Sequence, residues 1–188
     1  MNTTTEQMTA TVREGYQVLL RAEAELVLPE GKEVIGNYYR LLCDKCMSWA
    51  SEVWGERIRC EFLALEDLHD RALWRVQKYR FLMRIPWASE HYAAILCESY
   101  LLGQRGNIPN SYHRHSHVWN LDEESILPPT QILQLFGGGI SLRELPLVPD
   151  GIYPEGGELI FYKNPTATSP WAEHKSPLCK DDKKGNER

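Results

Sequence analysis

The sequence has no long apolar run, no excess of basic residues and no export signal. None of its apolar runs approaches the roughly 20 residues that a membrane-spanning helix needs, so we expect no membrane span. The first fifteen residues, MNTTTEQMTATVREG, contain no basic segment followed by an apolar one, as a secretory signal would. The 21 Lys and Arg residues are outnumbered by 26 Asp and Glu residues, for a net charge of −5. Because a phosphate-binding surface needs concentrated Lys and Arg, nucleic acid is not an expected partner.

The number of cysteines is odd. The chain has five cysteines: Cys43, Cys46, Cys60, Cys97 and Cys179. A chain of 188 residues is large enough to fold around an apolar core and needs no disulfide framework. We therefore predict free thiols and a location in the reducing cytoplasm of a bacterial cell.

Sequence motifs of familiar catalytic sites are missing as well. The chain lacks the Gly-x-Ser-x-Gly turn that exposes a nucleophilic serine, which argues against a triad of Ser99, His115 and Asp122. Cys43 and Cys46 form a Cys-x-x-Cys pair, but no second Cys or His pair follows at the spacing of a zinc site. Cys46 instead belongs to an apolar helical stripe, so packing in the core is favoured for this pair. These patterns predict no catalytic residue.

The hydropathy pattern is more informative, because its period changes along the chain. Alternation with a period of two predicts strands, and apolar residues spaced by three and four predict helices. The predicted strands are residues 16–28, 79–85, 92–102, 112–121 and 158–162. The predicted helices are residues 35–53, a continuation to about residue 69, and residues 131–136 with Thr130 as the N-cap.

Together these elements predict an α+β fold. Short connections between consecutive strands favour an antiparallel meander, and the helices are expected to pack on one face of that sheet around a single core. We expect one such domain over residues 1–174, with one or two helices in its helical layer. Residues 175–188 carry many charges and few apolar side chains, which predicts a disordered polar tail.

Several short phrases of the sequence occur in the same order in a known family. They are IGNYY at residues 35–39, AILCESY at 94–100, HVWNLD at 117–122, ILQLF at 132–136, VPDG at 148–151 and LIFY at 159–162. Over roughly residues 12–172 the chain resembles a bacterial domain of unknown function. That domain forms the extracellular C-terminal part of the lysozyme-sensing anti-sigma factor RsiV and accompanies the catalytic domain of the peptidoglycan deacetylase PdaC. The resemblance implies an α+β binding domain.

Two segments depart from the family pattern. The family carries a Gly-Gly-Ala-His-Gly phrase in one strand loop, where this chain has GQRGN at residues 103–107 and no histidine. The segment between Phe136 and Val148 is short and contains three consecutive glycines, where family members have a longer helix. Lysozyme binding belongs to an exported, membrane-anchored receptor, and we do not expect it here.

Three histidines alternate along one predicted strand. His113, His115 and His117 point to the same face, with successive side chains about 6.5–7 Å apart. Two neighbouring imidazoles on a strand are able to share a zinc ion, and Glu98 or Cys97 could supply a third ligand. The same face carries Trp119 and Leu121, and a half-buried aromatic face is the favoured interpretation.

Tryptophan is abundant, with six in the chain. Trp87 and Trp171 each follow a proline, which predicts partial exposure. Exposed aromatic side chains near arginines are typical of binding surfaces. The candidate ligand-binding residues are therefore Arg84, Trp87, Arg105 and Trp119.

The sequence therefore favours a non-catalytic binding or interaction domain with no cofactor, whose partner is an unknown protein or a small ligand. The alternative is a small metal-dependent hydrolase that holds zinc with Glu98 and two of the strand histidines His113, His115 and His117, since all three span too far for one ion. A third hypothesis is an oligomerisation module that associates through an edge strand and the turn at Trp87.

Overall fold

The computed structural model describes residues 1–103, 106–107 and 112–179. Its main element is a mixed sheet of seven strands. These strands are β1 (Thr3–Glu14), β2 (Gln17–Pro29), β3 (Gln77–Ala88), β4 (Tyr92–Gly103), β5 (Gly106–Asn107), β6 (His113–Asn120) and β7 (Ser125–Ile126). Their order across the sheet is β1-β2-β3-β4-β6-β7, with β5 paired to β4.

The first strand, β1, was not predicted from the sequence. It forms an antiparallel hairpin with β2 through a turn at Gly15, whose φ of +55° suits glycine. Its helix-facing residues Met8, Ala10 and Val12 pack against the core, whereas the residues between them are exposed. The apolar alternation in β1 covers only three residues, too few to stand out in the sequence.

The sheet is a meander only in part. β3, β4 and β6 follow one another in antiparallel order, as predicted. β2 and β3, however, are parallel, with Leu20 paired to Gln77. Parallel neighbours need a crossover connection, and the helices of the chain supply it. This parallel pair corrects the prediction of an all-antiparallel sheet.

The helices lie on one face of the large sheet, as predicted, and the α+β class is confirmed. They are α1 (Glu33–Trp49), a π-helical turn (Ala50–Trp54), α2 (Gly55–Leu63) and α3 (Leu68–Ala72). On α1 the side chains of Ile35, Tyr39 and Cys43 are fully buried against the sheet. Burial, followed by the nearby Asp44 and Cys46, raises the pKa of Cys43 to about 12, so this thiol is packed and unreactive.

A second layer covers the opposite face. It consists of α4 (Pro129–Phe136) and a three-stranded antiparallel sheet of β8 (Gly151–Glu155), β9 (Glu158–Lys163) and β10 (Ala172–Pro177). Ala94 and Leu96 of β4 pack there in a second core, so the expectation of a single core was wrong. β4 is apolar at consecutive positions because both of its faces are covered. α4 begins at Pro129 after the N-cap Pro128, which corrects the predicted N-cap Thr130.

The chain stays in contact with the second layer beyond residue 174. β10 pairs with β9 up to Pro177, and its His174 ring lies 6.0 Å from the Phe161 ring. The backbone N–H groups of Leu178 and Cys179 donate hydrogen bonds to Gly157 and Phe136. The predicted tail therefore begins at least five residues too early, and residues 180–188 lie outside the described part of the chain.

Replacing Gly151 by alanine is expected to lower the free energy of unfolding by about 1–3 kcal/mol. A Cβ atom at this position would overlap the phenol of Tyr162, which is only 1% exposed. Urea denaturation measures the loss. Gly36→Ala is the matched control, since its new methyl group meets only the flexible Arg40 side chain and alanine favours the helix. Equal stability of the two variants would contradict the close packing of β8 on β9.

No helix in the described ranges combines the length and the apolar character needed to cross a membrane.

Candidate functional site

The candidate site is a groove along the outer edge of β6. β7 pairs only with Trp119 and Asn120, and no other strand of the described chain pairs with the outer side of β6. The start of α4 and the segment that leads into β8 close the groove, whose volume is about 480 Å³. Apolar side chains form most of its wall: Ile126, Leu127, Ile132, Leu142, Val148 and Ile152.

The sequence explains why this wall stays open. Pro128 is extended before α4, Pro129 is the first residue of that helix, and Pro149 follows Val148 on the opposite wall. Proline donates no backbone hydrogen bond, so these segments do not pair with β6 as strands. Val148 is 80% exposed, which is unusual for a valine beside an apolar wall.

Polar groups enter the groove from β6 and from the segment before β8. They are His115, Ser116, His117 and Asp150. The Asp150 carboxylate already accepts a hydrogen bond of 2.7 Å from the Asn164 backbone N–H. Among the described lining residues there is no Lys or Arg, so the groove offers no cation to an anionic ligand.

The imidazoles of the groove are held neutral. The Trp119 indole N–H donates to the Tyr39 hydroxyl at 2.9 Å, and that hydroxyl lies 3.1 Å from His117 Nδ1. The hydroxyl and Nδ1 are within hydrogen-bonding distance, and which of them donates depends on which ring nitrogen of His117 carries the proton. Burial, and then the neighbouring His115, lowers the pKa of His117 to about 4. The pKa of His115 is also lowered, mainly by burial and to a smaller extent by the charge of the neighbouring His113.

The structure brings His115 and His117 together but not the predicted third ligand, Glu98. His115 and His117 have ring centroids 4.4 Å apart on the helix-facing side of β6. Glu98 pairs in register with Arg114 and accepts its hydrogen bonds on the opposite side of the sheet. In the ranges that the structure describes, no three His, Cys, Asp or Glu side chains converge as ligands of a metal ion. The zinc-dependent hydrolase stays a prediction.

Arg114 is the centre of a cluster that the sequence analysis missed. Its guanidinium donates to Glu98 at 2.9 Å, to Tyr153 at 2.9 Å and to Glu173 at 3.1 Å. The guanidinium carbon also lies over four aromatic rings, those of Tyr112, Tyr153, Tyr162 and Trp171. The closest ring is that of Trp171, 4.5 Å from the carbon to the centroid. Arg114 thus joins the large sheet to β8, β9 and β10 by charge and by stacking.

Glu98 is ionised within this cluster. Burial raises the pKa of its carboxyl, but the hydrogen bonds from Tyr112 and Arg114 outweigh that effect, and the net pKa is lowered. Arg84 makes an ion pair with Glu155 and a longer one of 3.7 Å with Glu98. These residues hold the two sheets together. The one signal in the sequence was the alternation of β6, which places Arg114 on the face opposite to the histidines.

The four candidate ligand-binding residues do not form one surface. Arg84 is engaged in ion pairs, and Trp87 packs edge-to-face on Phe136 with their ring centroids 5.2 Å apart. Trp119 is 3% exposed and faces the helices. Arg105 lies outside the described residues. Among the candidate ligand-binding and metal-binding residues that the structure describes, only His115 and His117 line the groove.

The large sheet covered by helices on one face and by a small sheet on the other has a counterpart among solved structures. A DUF3298 family protein from Pseudomonas aeruginosa PAO1 matches with a TM-score of 0.54 and 12% identity, over 94% of this chain and 91% of that one. The chain has a DUF3298-type fold. The resemblance to a bacterial domain of unknown function is thus confirmed at the level of the fold.

A DUF3298 family member from Bacteroides fragilis NCTC 9343 matches with a TM-score of 0.42 and 10% identity, over 94% of this chain and 89% of that one. No protein-family model and no curated protein matches the sequence. At these identities the DUF3298 likeness describes the fold, and the function has to be argued from the site.

Proposed function

We propose that this DUF3298-type domain is a non-catalytic binding module whose site is the groove along β6. One observation carries the proposal: the groove has a volume of about 480 Å³ and an apolar wall with a few polar groups from one strand. Ligand sites in proteins have volumes of about 300–1,000 Å³ and the same division between apolar wall and polar anchors. The resemblance to the RsiV and PdaC domain supports a binding role as well.

The polar groups of the groove favour an uncharged ligand. His117 is neutral at neutral pH because its pKa is about 4, so it offers hydrogen bonds and no positive charge. Asp150 is the one carboxylate among the described lining residues, and it would repel an anion. The ligand we propose is a small, neutral and mostly apolar molecule with a polar group that reaches the imidazoles.

Nile red, a neutral and apolar dye, is a suitable probe of this groove. We expect its fluorescence to increase on binding, and we expect Val148→Arg to weaken binding by about tenfold or more, because the variant places a charge on the apolar wall. Val148 is exposed, so the substitution leaves the core intact. Fluorescence titration with the wild-type protein and the variant measures both affinities.

Val34→Arg is the matched control for this titration. Val34 is 58% exposed on α1 and does not line the groove, so this variant should bind Nile red like the wild type. Equal weakening by both substitutions would show that the dye binds elsewhere, and the groove would lose its support as the binding site.

A further inference from the structure

The two edges of the large sheet are built differently. At the β6 edge the Asn164 side chain occupies the backbone groups that a neighbouring strand would bond. Its Oδ1 accepts from the Arg114 N–H at 2.7 Å, and its Nδ2 donates to the Arg114 carbonyl at 2.9 Å. The Leu127 N–H donates to the Val118 carbonyl further along. This edge is therefore closed to another strand.

At the opposite edge, β1 is open. No strand of the described chain pairs with its outer side, although it is 12 residues long. Its sequence, TTTEQMTATVRE, contains neither lysine nor proline, the residues that commonly protect edge strands. Its one irregularity is the register shift between Val12 and Arg13, so the regular part runs from Thr3 to Thr11.

The hydrogen-bonding groups that point outward are identified by the pairing with β2. The Glu30 N–H donates to the Asn2 carbonyl, so Asn2 and every second residue after it bond inward to β2. The N–H and C=O groups of the intervening residues therefore point away from the sheet. These outward residues are Thr3, Thr5, Gln7, Thr9 and Thr11, and none of them is charged.

The helical layer holds β1 in place for pairing. The Glu6 carboxylate, which faces the helices, accepts hydrogen bonds from Arg40 at 3.0 and 2.6 Å. Glu14 accepts one from Arg59 at 2.7 Å. A Cβ atom on Gly55 would lie 2.8 Å from Val12, which shows how closely α2 approaches the strand. The open edge is thus preorganised, and its acidic side chain is neutralised.

We propose that the β1 edge is an interface for a second copy of this chain, in which two β1 strands pair antiparallel about a two-fold axis at Gln7. Such an axis is perpendicular to the sheet, so residues of the same parity face each other. Centred on Gln7, the pairing uses the whole regular stretch and places Thr3 opposite Thr11 and Thr5 opposite Thr9. Centred on Glu6, it would leave Thr11 without a partner from the regular stretch.

This arrangement follows from features of the chain itself. Threonine pairs across neighbouring strands are favourable, and the proposed register opposes no like charges. About ten hydrogen bonds would form between the two strands, two for each outward pair. The groove lies at the other edge of the sheet, so dimer formation leaves it open, and this proposal does not depend on the proposed function.

Sedimentation velocity over a range of concentrations tests the proposal. The wild-type protein should form dimers, and Thr9→Pro should weaken the dimer by about tenfold or more, because proline removes an outward N–H group. Since that N–H is not bonded to β2, the monomer should keep its circular dichroism spectrum. Thr9→Ala keeps the N–H and loses only the threonine side chain, so it should dimerise much more tightly than Thr9→Pro. A wild-type protein that is monomeric at its highest soluble concentration would overturn the proposal.

A second pair of variants tests the register without proline. Gln7→Glu and Gln7→Lys each place two like charges at the two-fold axis, and each protein alone should dimerise more weakly than the wild type. Mixed together, they should form a heterodimer, because opposite charges then face each other. Weakening without recovery in the mixture would exclude the register centred on Gln7, and no weakening in either variant would exclude β1 as the interface.

Discussion

Replacing Arg114 by methionine is expected to lower the free energy of unfolding by about 3–5 kcal/mol, the cost of removing one partner from a buried ion pair. The Arg114 side chain is 12% exposed and its partner Glu98 is 19% exposed. Methionine fills much of the same volume but leaves the Glu98 carboxylate with only the longer ion pair to Arg84, at 3.7 Å. Urea denaturation of both proteins, compared through midpoint and slope, measures the loss.

Two further variants separate charge from packing. Adding Glu98→Gln to Arg114→Met removes the carboxylate charge, so part of the stability should return. Arg57→Met breaks an exposed pair with Glu61, whose side chains are 60% and 50% exposed, and it should cost no more than about 1 kcal/mol. If Arg114→Met costs no more than Arg57→Met, the cluster does not hold the two sheets together.

Acidification is expected to destabilise the protein by about 3 kcal/mol through His117 alone. The folded-state pKa is about 4, below the ordinary value of 6.5, because burial disfavours the charged imidazole. The folded protein therefore binds fewer protons than the unfolded chain between these values. The contribution of His117 is fully present above pH 6.5 and is lost as the pH falls toward 4.

NMR titration of the imidazole signals and urea denaturation at several pH values measure this effect. Tyr39→Phe removes the hydroxyl that lies 3.1 Å from His117 Nδ1 but keeps the ring burial, so the pKa of His117 should stay well below 6.5. His115→Asn removes the second cause and should raise that pKa slightly. A His117 that titrates near 6.5 in the folded wild type would contradict the buried environment described here.

The parts of the fold that were predictable are those with strong periodicity. β4 and β6 were placed to within about two residues, because consecutive apolar positions and alternating histidines are visible without tertiary information. β1 has too few apolar residues for such a signal, and it is a strand because β2 provides the partner. The parallel pairing of β2 with β3 brings together residues far apart in sequence, which local patterns do not encode.

Less of the site was predictable, because its composition depends on the pairing register of β4 with β6, which the sequence does not show. Alternation placed His115 and His117 on one face, and the structure agrees. Whether Glu98 shares that face depends on which residue of β6 lies opposite it, and this is Arg114. A shift by one residue would have turned Glu98 toward the histidines. The walls of the groove come from loops before α4 and β8, whose positions follow from the second core.

The parallel pairing of β2 and β3 also determines the order of assembly. β1 with β2, and β3 with β4, are local hairpins that close through short turns. Joining them requires residues 20 and 77 to meet, at the entropic cost of ordering the helical crossover between them. Nonlocal pairing of this kind is slow, so we expect the two hairpins to form first and the pairing of β2 with β3 to set the folding rate.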